Sequence, residues 1–228
     1  DKSVIIACDT SSVVCSVAIS HNGSIVWEQE DIGAQIHIEK LSPFLKEALG
    51  YCTSSGETLQ ALAIAIGPGS FNGLRIGLAT MKALAVALEL PLIPIPTTDA
   101  MAYGMRDKLS GISRAVIYSH RNFVHFADYD YSKSATIVTP EFKYGAWDQL
   151  AEKQIDHYFG KADRGFDAWL KGSEASEVQS RFVNVDAKAS FVALLAESRT
   201  HLGIRELDEL EPLYNAVYEA KKWVPPQF

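Results

Sequence analysis

Cysteine is scarce in this 228-residue chain, and what there is falls into no metal or redox pattern. Cys8, Cys15 and Cys52 form no CxxC, and two of them lie in apolar, strand-like runs. That marks buried reduced thiols and a cytoplasmic protein. Positive charge is also short: 21 Lys and Arg stand against 28 Asp and Glu, a formal charge of −7. The imbalance is steepest over residues 1–104, with 5 basic and 10 acidic side chains. No basic stripe breaks it, and free-standing nucleic-acid binding depends on one, so service to RNA is expected only through a partner. No apolar run reaches the roughly 18 residues of a membrane span, and the chain opens straight into a strand with no signal peptide. Metal chemistry lacks its spacings too. There is no HxxxH or HExxH; His37 and Glu39, two apart on a helix, share no face, and His120 and His125, five apart on strands, are expected on opposite sides. Nor is there a GxSxG nucleophile elbow, because Ser70 has no glycine two residues on.

What remains is ordinary for a globular protein: 47% hydrophobic and 21% charged residues, enough chain for one large domain or two small lobes. Val4 to Ala7 and Val13 to Ser20 read as strands, and Asn22-Gly23 as a hairpin turn leading to a third, Ile25 to Glu30. The same Asn22-Gly23-Ser24 matches a glycosylation sequon, a reading nothing else in the chain supports. Ile38, Leu41, Leu45, Ala48 and Leu49 recur at helical spacing, closed by Gly50. Leu59 to Ile66 is an unbroken apolar strand of the kind buried on both faces. Leu74 to Leu90 reads as a helix ended by Pro91, Leu92 to Ile95 as a strand, and Thr97-Thr98-Asp99 as the cap of a helix through Met105. A boundary near Ser110-Gly111 divides lobes of residues 1–108 and 109–228. The second begins with strands at Ala115 to Tyr118, Asn122 to Tyr129 and Ala135 to Thr139. It continues with a helix over Ala146 to Lys153, strands at Ile155 to Phe159 and Phe182 to Val185, and a helix over Lys188 to Leu202.

Gly67 to Gly73 (GPGSFNG) joins the buried strand to the second helix. Strand, glycines, helix is how many proteins hold a phosphate, since the backbone can approach and the helix N-terminus offers free N–H groups. The P-loop lysine is missing, with Leu74 after Gly73. Gly67, Gly69 and Gly73 give GxGxxxG, one residue longer than the dinucleotide fingerprint. A tight structural turn and a ligand contact both remain open. The helix behind it is more telling: from Leu74 to Glu89 only Arg75, Thr80, Lys82 and Glu89 are strongly polar. A helix apolar nearly all round is covered on both sides, here by another element or by another subunit. Small Ala79, Ala83 and Ala87 suit close approach of a neighbouring helix.

Cys8-Asp9-Thr10-Ser11-Ser12 joins the first two strands. An acid ending a buried first strand, followed by hydroxyls, is how actin-like kinases and chaperone ATPases hold phosphate or a metal ion. Simple capping of the turn is the plainer reading. The second lobe supplies no counterpart: its first hairpin turns on Tyr118-Ser119-His120-Arg121-Asn122, and no Gly-Gly pair follows.

IIACDTSSVVCSVAI, HIEKLSPFLKEAL and above all AIGPGSFNGLRIGLATMKALAVALELPLIPIPTTDAMA resemble the TsaB (YeaZ) family, densely over residues 4–103 and loosely beyond. The resemblance implies an α/β, two-lobed actin-like and Hsp70-like ATPase fold (ASKHA, ribonuclease H-like) with a degenerate second lobe. It implies a non-catalytic subunit in tRNA N6-threonylcarbamoyladenosine synthesis. That subunit pairs with a TsaD-like catalytic subunit, recruits a TsaE-like ATPase, reaches tRNA only through the complex, homodimerises in isolation and meets no membrane. The partner surface it implies lies on the first two helices, for which Ile38, Leu41, Leu45, Leu74, Leu78, Ala79, Lys82, Ala83 and Val86 are the candidates. Asp9, Thr10, Ser11, Gly67, Gly69 and Gly73 are the candidate nucleotide contacts. No metal or catalytic residue is expected. No cofactor is expected for the chain alone, with ATP or ADP reserved for a complex interface. A free-standing nucleotide-hydrolysing enzyme is the alternative. Two departures stand out: Ser119-His120-Arg121-Asn122 keeps the family's arginine without its acids, and Asn72 replaces a common threonine. Glu211-Pro212-Leu213-Tyr214 is similar to the family's proline–tyrosine segment.

Overall fold

The computed structural model describes residues 3–33, 35–132 and 137–214. Its first sheet holds β1 (Ser3–Asp9), β2 (Val14–His21), β3 (Ser24–Ile32), β4 (Thr58–Ala65) and β5 (Leu92–Ile95), in the order β3-β2-β1-β4-β5. The first three form an antiparallel meander, pinned where Asn22 and Gly23 take the left-handed angles of the expected hairpin (φ 49° and 76°). Strands β4 and β5 join parallel to β1, so each needs a crossover. Helices α1 (Ile36–Ser55) and α2 (Phe71–Leu88) supply them.

The second sheet repeats the plan. It contains β6 (Ile112–His120), β7 (Phe123–Asp130), β8 (Lys143–Ala146), β9 (His157–Gly160) and β10 (Phe182–Asn184), in the order β8-β7-β6-β9-β10. Its first three strands are again antiparallel and its last two parallel. One strand plan used twice is the two-lobed ASKHA-like α/β fold, and the copies are unequal. In the place of α1 the second lobe has a three-residue 3-10 turn, Trp147–Gln149, and in the place of α2 the seven-residue α4 (Arg164–Leu170). Two further turns, a 3-10 turn at Ser173–Ala175 and α5 (Ser176–Gln179), precede β10.

Two helices lie between the sheets: α3 (Thr97–Met105), after β5, and α6 (Ala189–Ser198), after β10. They pack on each other, and each reaches across, α6 onto β1 and β2 and α3 onto β6 and β7. Ile5 and Ala7 from the first sheet, Ala115 and Ala127 from the second, and Met101, Val192 and Ala196 from the helices share one core. A second core joins α1 and α2 to Ile6, Leu62 and Ile64, and a third backs the second sheet with Val116, Val124, Tyr158 and Phe166.

Several expectations are corrected. The first helix runs through Gly50 and ends at left-handed Gly56 (φ 69°), because Cys52 continues the buried row of Leu41, Leu45 and Ala48. Lys143 to Ala146 is a strand, drawn into the sheet where Tyr144 pairs with His125, and the helix expected over 146–153 shrinks to the 3-10 turn at Trp147–Gln149. Part of the expected strand at 135–139 lies outside the described residues, and Ile137 to Thr139 form none. By length and composition Phe71–Leu88 is apolar enough to cross a membrane, against the expectation that no segment would be. Here it is a crossover helix with one face in the core.

Candidate functional site

Helix α2 starts where the apolar strand β4 can go no further. Gly67 adopts φ 109°, its bond to Pro68 is cis, and the Ser70 hydroxyl caps the helix by accepting from the Gly73 N–H at 3.3 Å. Leu74, Leu78, Met81 and Ala85 then recur on one face and are buried against the sheet. The opposite face carries Arg75, Ala79, Ala83, Val86 and Ala87, all exposed, with Val86 68% open. Beside it, α1 buries Leu41, Phe44, Leu45 and Ala48 and leaves Ile38 68% exposed. The candidate interface residues therefore divide. Ile38, Ala79, Ala83 and Val86 lie on the open side with half-buried Lys82, whereas Leu41, Leu45, Leu74 and Leu78 anchor the two helices to their own core.

The candidate nucleotide contacts come together, but against one another. The Thr10 hydroxyl donates to the Gly73 carbonyl at 2.8 Å, and the Ser70 N–H donates to the Ser11 carbonyl at 2.6 Å. A Cβ on Gly69 would overlap the Ser11 carbonyl, and one on Gly73 the Thr10 carbonyl. Gly77 does the same against the Thr10 side chain, a contact the sequence signalled as a second glycine four residues on from Gly73. From α1, the His37 Nε2–H donates to the Ser12 carbonyl at 2.9 Å. The turn after β1 is thus the socket into which both long helices plug. Asp9 is fully buried; its Oδ1 accepts from the Ser11 N–H and hydroxyl at 2.8 and 2.7 Å, and its Oδ2 has no partner among the described residues. Burial pushes its carboxyl up, partly offset by the Ser11 bonds and His37.

In the second lobe the equivalent turn holds Arg121 at φ 53° and no acid. A register shift beside Tyr118 brings His120 onto the same side as His125, contrary to the alternation expected of plain strands. Both rings pack on Tyr144, with centroids 6.4 and 4.9 Å away, and Phe123 stacks on it at 5.3 Å. Among the described residues no three His, Cys, Asp or Glu side chains gather as a metal site. Thr97-Thr98-Asp99 does open α3, but Asp99 turns away from the capping role to pair with Arg199 at 2.8 Å.

A segment that sequence reasoning noticed only by resemblance returns to the first lobe. Ile204 bridges to Leu92, Leu207 is buried in the core under α1 and α2, and the Leu213 N–H donates to the Ile66 carbonyl at 2.7 Å, beside Gly67. Tyr214 ends this strap on Phe71, at the start of α2, with ring centroids 5.0 Å apart.

The family model for TsaD, tRNA N6-adenosine threonylcarbamoyltransferase, matches residues 25–195. The tRNA threonylcarbamoyladenosine biosynthesis protein TsaB of Escherichia coli K12 is 29% identical over 175 residues, covering 72% of this chain and 73% of that protein. Its namesake from Haemophilus influenzae is 36% identical over 98 residues, covering 43% of this chain and 41% of that one. Among solved structures, YeaZ from Pseudomonas aeruginosa superposes with a TM-score of 0.72 at 21% identity, over 93% of this chain and 99% of that one, a likeness of fold.

Proposed function

Because the chain belongs to the TsaD family, on its TsaB (YeaZ) branch, we propose that it serves tRNA threonylcarbamoyladenosine biosynthesis as a non-catalytic partner subunit. In this reading it docks a TsaD-like catalytic subunit through the outer sides of α1 and α2. It also helps recruit a TsaE-like ATPase, meets tRNA only through the assembly, pairs with itself when the partner is absent, and works in the cytoplasm. The lobes at residues 1–108 and 109–228 divide the labour, the first carrying the docking helices. Any ATP or ADP belongs to the subunit junction.

The observation that carries this reading is the open side of α2. Ala79, Ala83, Val86 and Ala87 are apolar, small or medium-sized and exposed along one face of a long helix. Such a row is costly to leave in water and shaped for a second helix to approach. The non-catalytic part is supported by the turn after β1. Its Thr10 hydroxyl, a donor that in an ATPase would face phosphate, is spent on the Gly73 carbonyl, while the Ser11 and Ser12 carbonyls hold α2 and α1. Ala83→Glu tests the docking, since it sets a charge in the middle of the row without touching the core. Co-purification with the TsaD-like subunit is expected to fall at least about 100-fold, with the variant's own thermal midpoint unchanged. An intact complex of normal elution volume on size exclusion would overturn the reading.

A further inference from the structure

Phe71, Arg75 and Tyr214 are large side chains locked together on the surface. The Arg75 guanidinium carbon lies 4.3 Å from the centre of the Phe71 ring, and its Nε–H donates to the Tyr214 hydroxyl at 3.2 Å. Phe71 and Tyr214 pack ring against ring, yet remain 48% and 40% exposed. Side chains this size ordinarily lose rotamer entropy on binding; here the ordering is already done in the free chain. Arginine and the aromatics are the residue types that dominate binding energy when they enter a partner's pocket.

The cluster is continuous with the open face of α2. Arg75, Ala79, Lys82 and Val86 follow one another at helical spacing, and α2 contains no Asp or Glu. Arg75 and Lys82 are therefore its only charges, both positive, seven residues or about 10 Å apart along one face. Neither forms an ion pair among the described residues. An apolar face bearing two like charges and no acid calls for an opposing surface with carboxylates at the same spacing.

We infer that Phe71, Arg75 and Tyr214 form a pre-ordered anchor for the TsaD-like subunit, and that the subunit meets Arg75 and Lys82 with carboxylates about 10 Å apart on an apolar helical face. This rests on the proposed docking of α1 and α2 and adds the strap around residue 214 to it. Leu213, held on the Ile66 carbonyl beside the glycine turn, sets Tyr214 in place; the strap is thus a positioning device for the anchor.

Isothermal titration of the whole chain with the purified TsaD-like subunit, at low and moderate salt, tests this. Arg75→Ala and Tyr214→Ala are each expected to raise Kd about tenfold, and the double variant little further, because the three side chains act as a unit. Arg75→Ala should also flatten the salt dependence. It leaves the strap intact, so it decides the matter even if Tyr214→Ala loosens the fold. Val86→Glu is the reference for the docking itself. If Val86→Glu abolishes binding while Arg75→Ala stays within twofold of the parent at both salts, the anchor is wrong and the docking stands. If Val86→Glu binds like the parent, the docking fails and the anchor with it. Loss of self-association in Arg75→Ala, with subunit binding unchanged, would assign the cluster to a second copy of this chain and overturn the inference.

Discussion

His125 lies on β7 between Ile117 and Tyr144, its Nδ1 buried with no partner among the described residues. Burial, helped by nearby His120, holds its pKa down at about 4 against an ordinary 6.5. Above pH 6.5 the ring is neutral folded and unfolded, and stability is complete. As pH falls from 6.5 towards 4 the unfolded chain takes up a proton that the folded chain refuses, and up to about 3 kcal/mol is lost. Asp9 works in the opposite sense: its raised pKa favours the folded state at low pH and is lost as pH rises above the ordinary carboxylate range. Asp9 is common to the parent and a His125→Phe variant, so comparison isolates the histidine. Urea midpoints at pH 7 and pH 4.5 should drop distinctly less in the variant. At this scale the sequence was partly legible. Gly69 and Gly73 announced a close approach because only a missing Cβ permits one. The meeting of His120 and His125 was hidden, since a register shift carries no residue signature and undoes the alternation on which facing arguments rest.

Helix α6 shows what governs legibility one level up. Its ten residues fall inside the helix expected over Lys188 to Leu202, which stops at Ser198 and gives way to a 3-10 turn at Thr200–Leu202; α1, α2 and α3 were anticipated too, because long apolar periods identify themselves. The short strands β9 and β10 were also anticipated, but β8 and the turn at Trp147 were not: they are held by pairing with β7 and by aromatic packing, neither of which is local in sequence. Nor could the sequence say that α6 would cross to the first sheet. A buried ion pair accompanies that crossing. Arg199, just past α6, meets Asp99 of α3 at 2.8 Å, while the Tyr129 hydroxyl donates to the other carboxylate oxygen at 2.7 Å and Thr139 adds a further bond. Arg199→Leu leaves Asp99 buried without its cation and should cost about 3–5 kcal/mol, read as a fall in thermal midpoint. Adding Asp99→Asn should restore part of the loss, because the stranded charge is then gone.

Over the whole molecule, the shared core between the sheets makes the lobes interdependent. Ala7 and Ala18 of the first sheet and Ala115 and Ala127 of the second belong to one buried cluster with α3 and α6. Neither sheet can open that face without exposing the other's. Thermal unfolding is therefore expected as one transition, with calorimetric and van't Hoff enthalpies equal. Two resolved transitions would show that the lobes melt separately.

The unequal copies have a consequence for valency. The repeated strand plan gives each lobe a place for two long crossover helices, yet only the first lobe fills both. A molecule with such a face on each lobe could join copies head to tail and grow into a filament, as heterologous contacts do when they fail to close. Among the described residues only one such face is present, so in the proposed docking each copy would seat one catalytic subunit and end the row there. Supply of the chain, counted molecule for molecule, would set how many partners are joined.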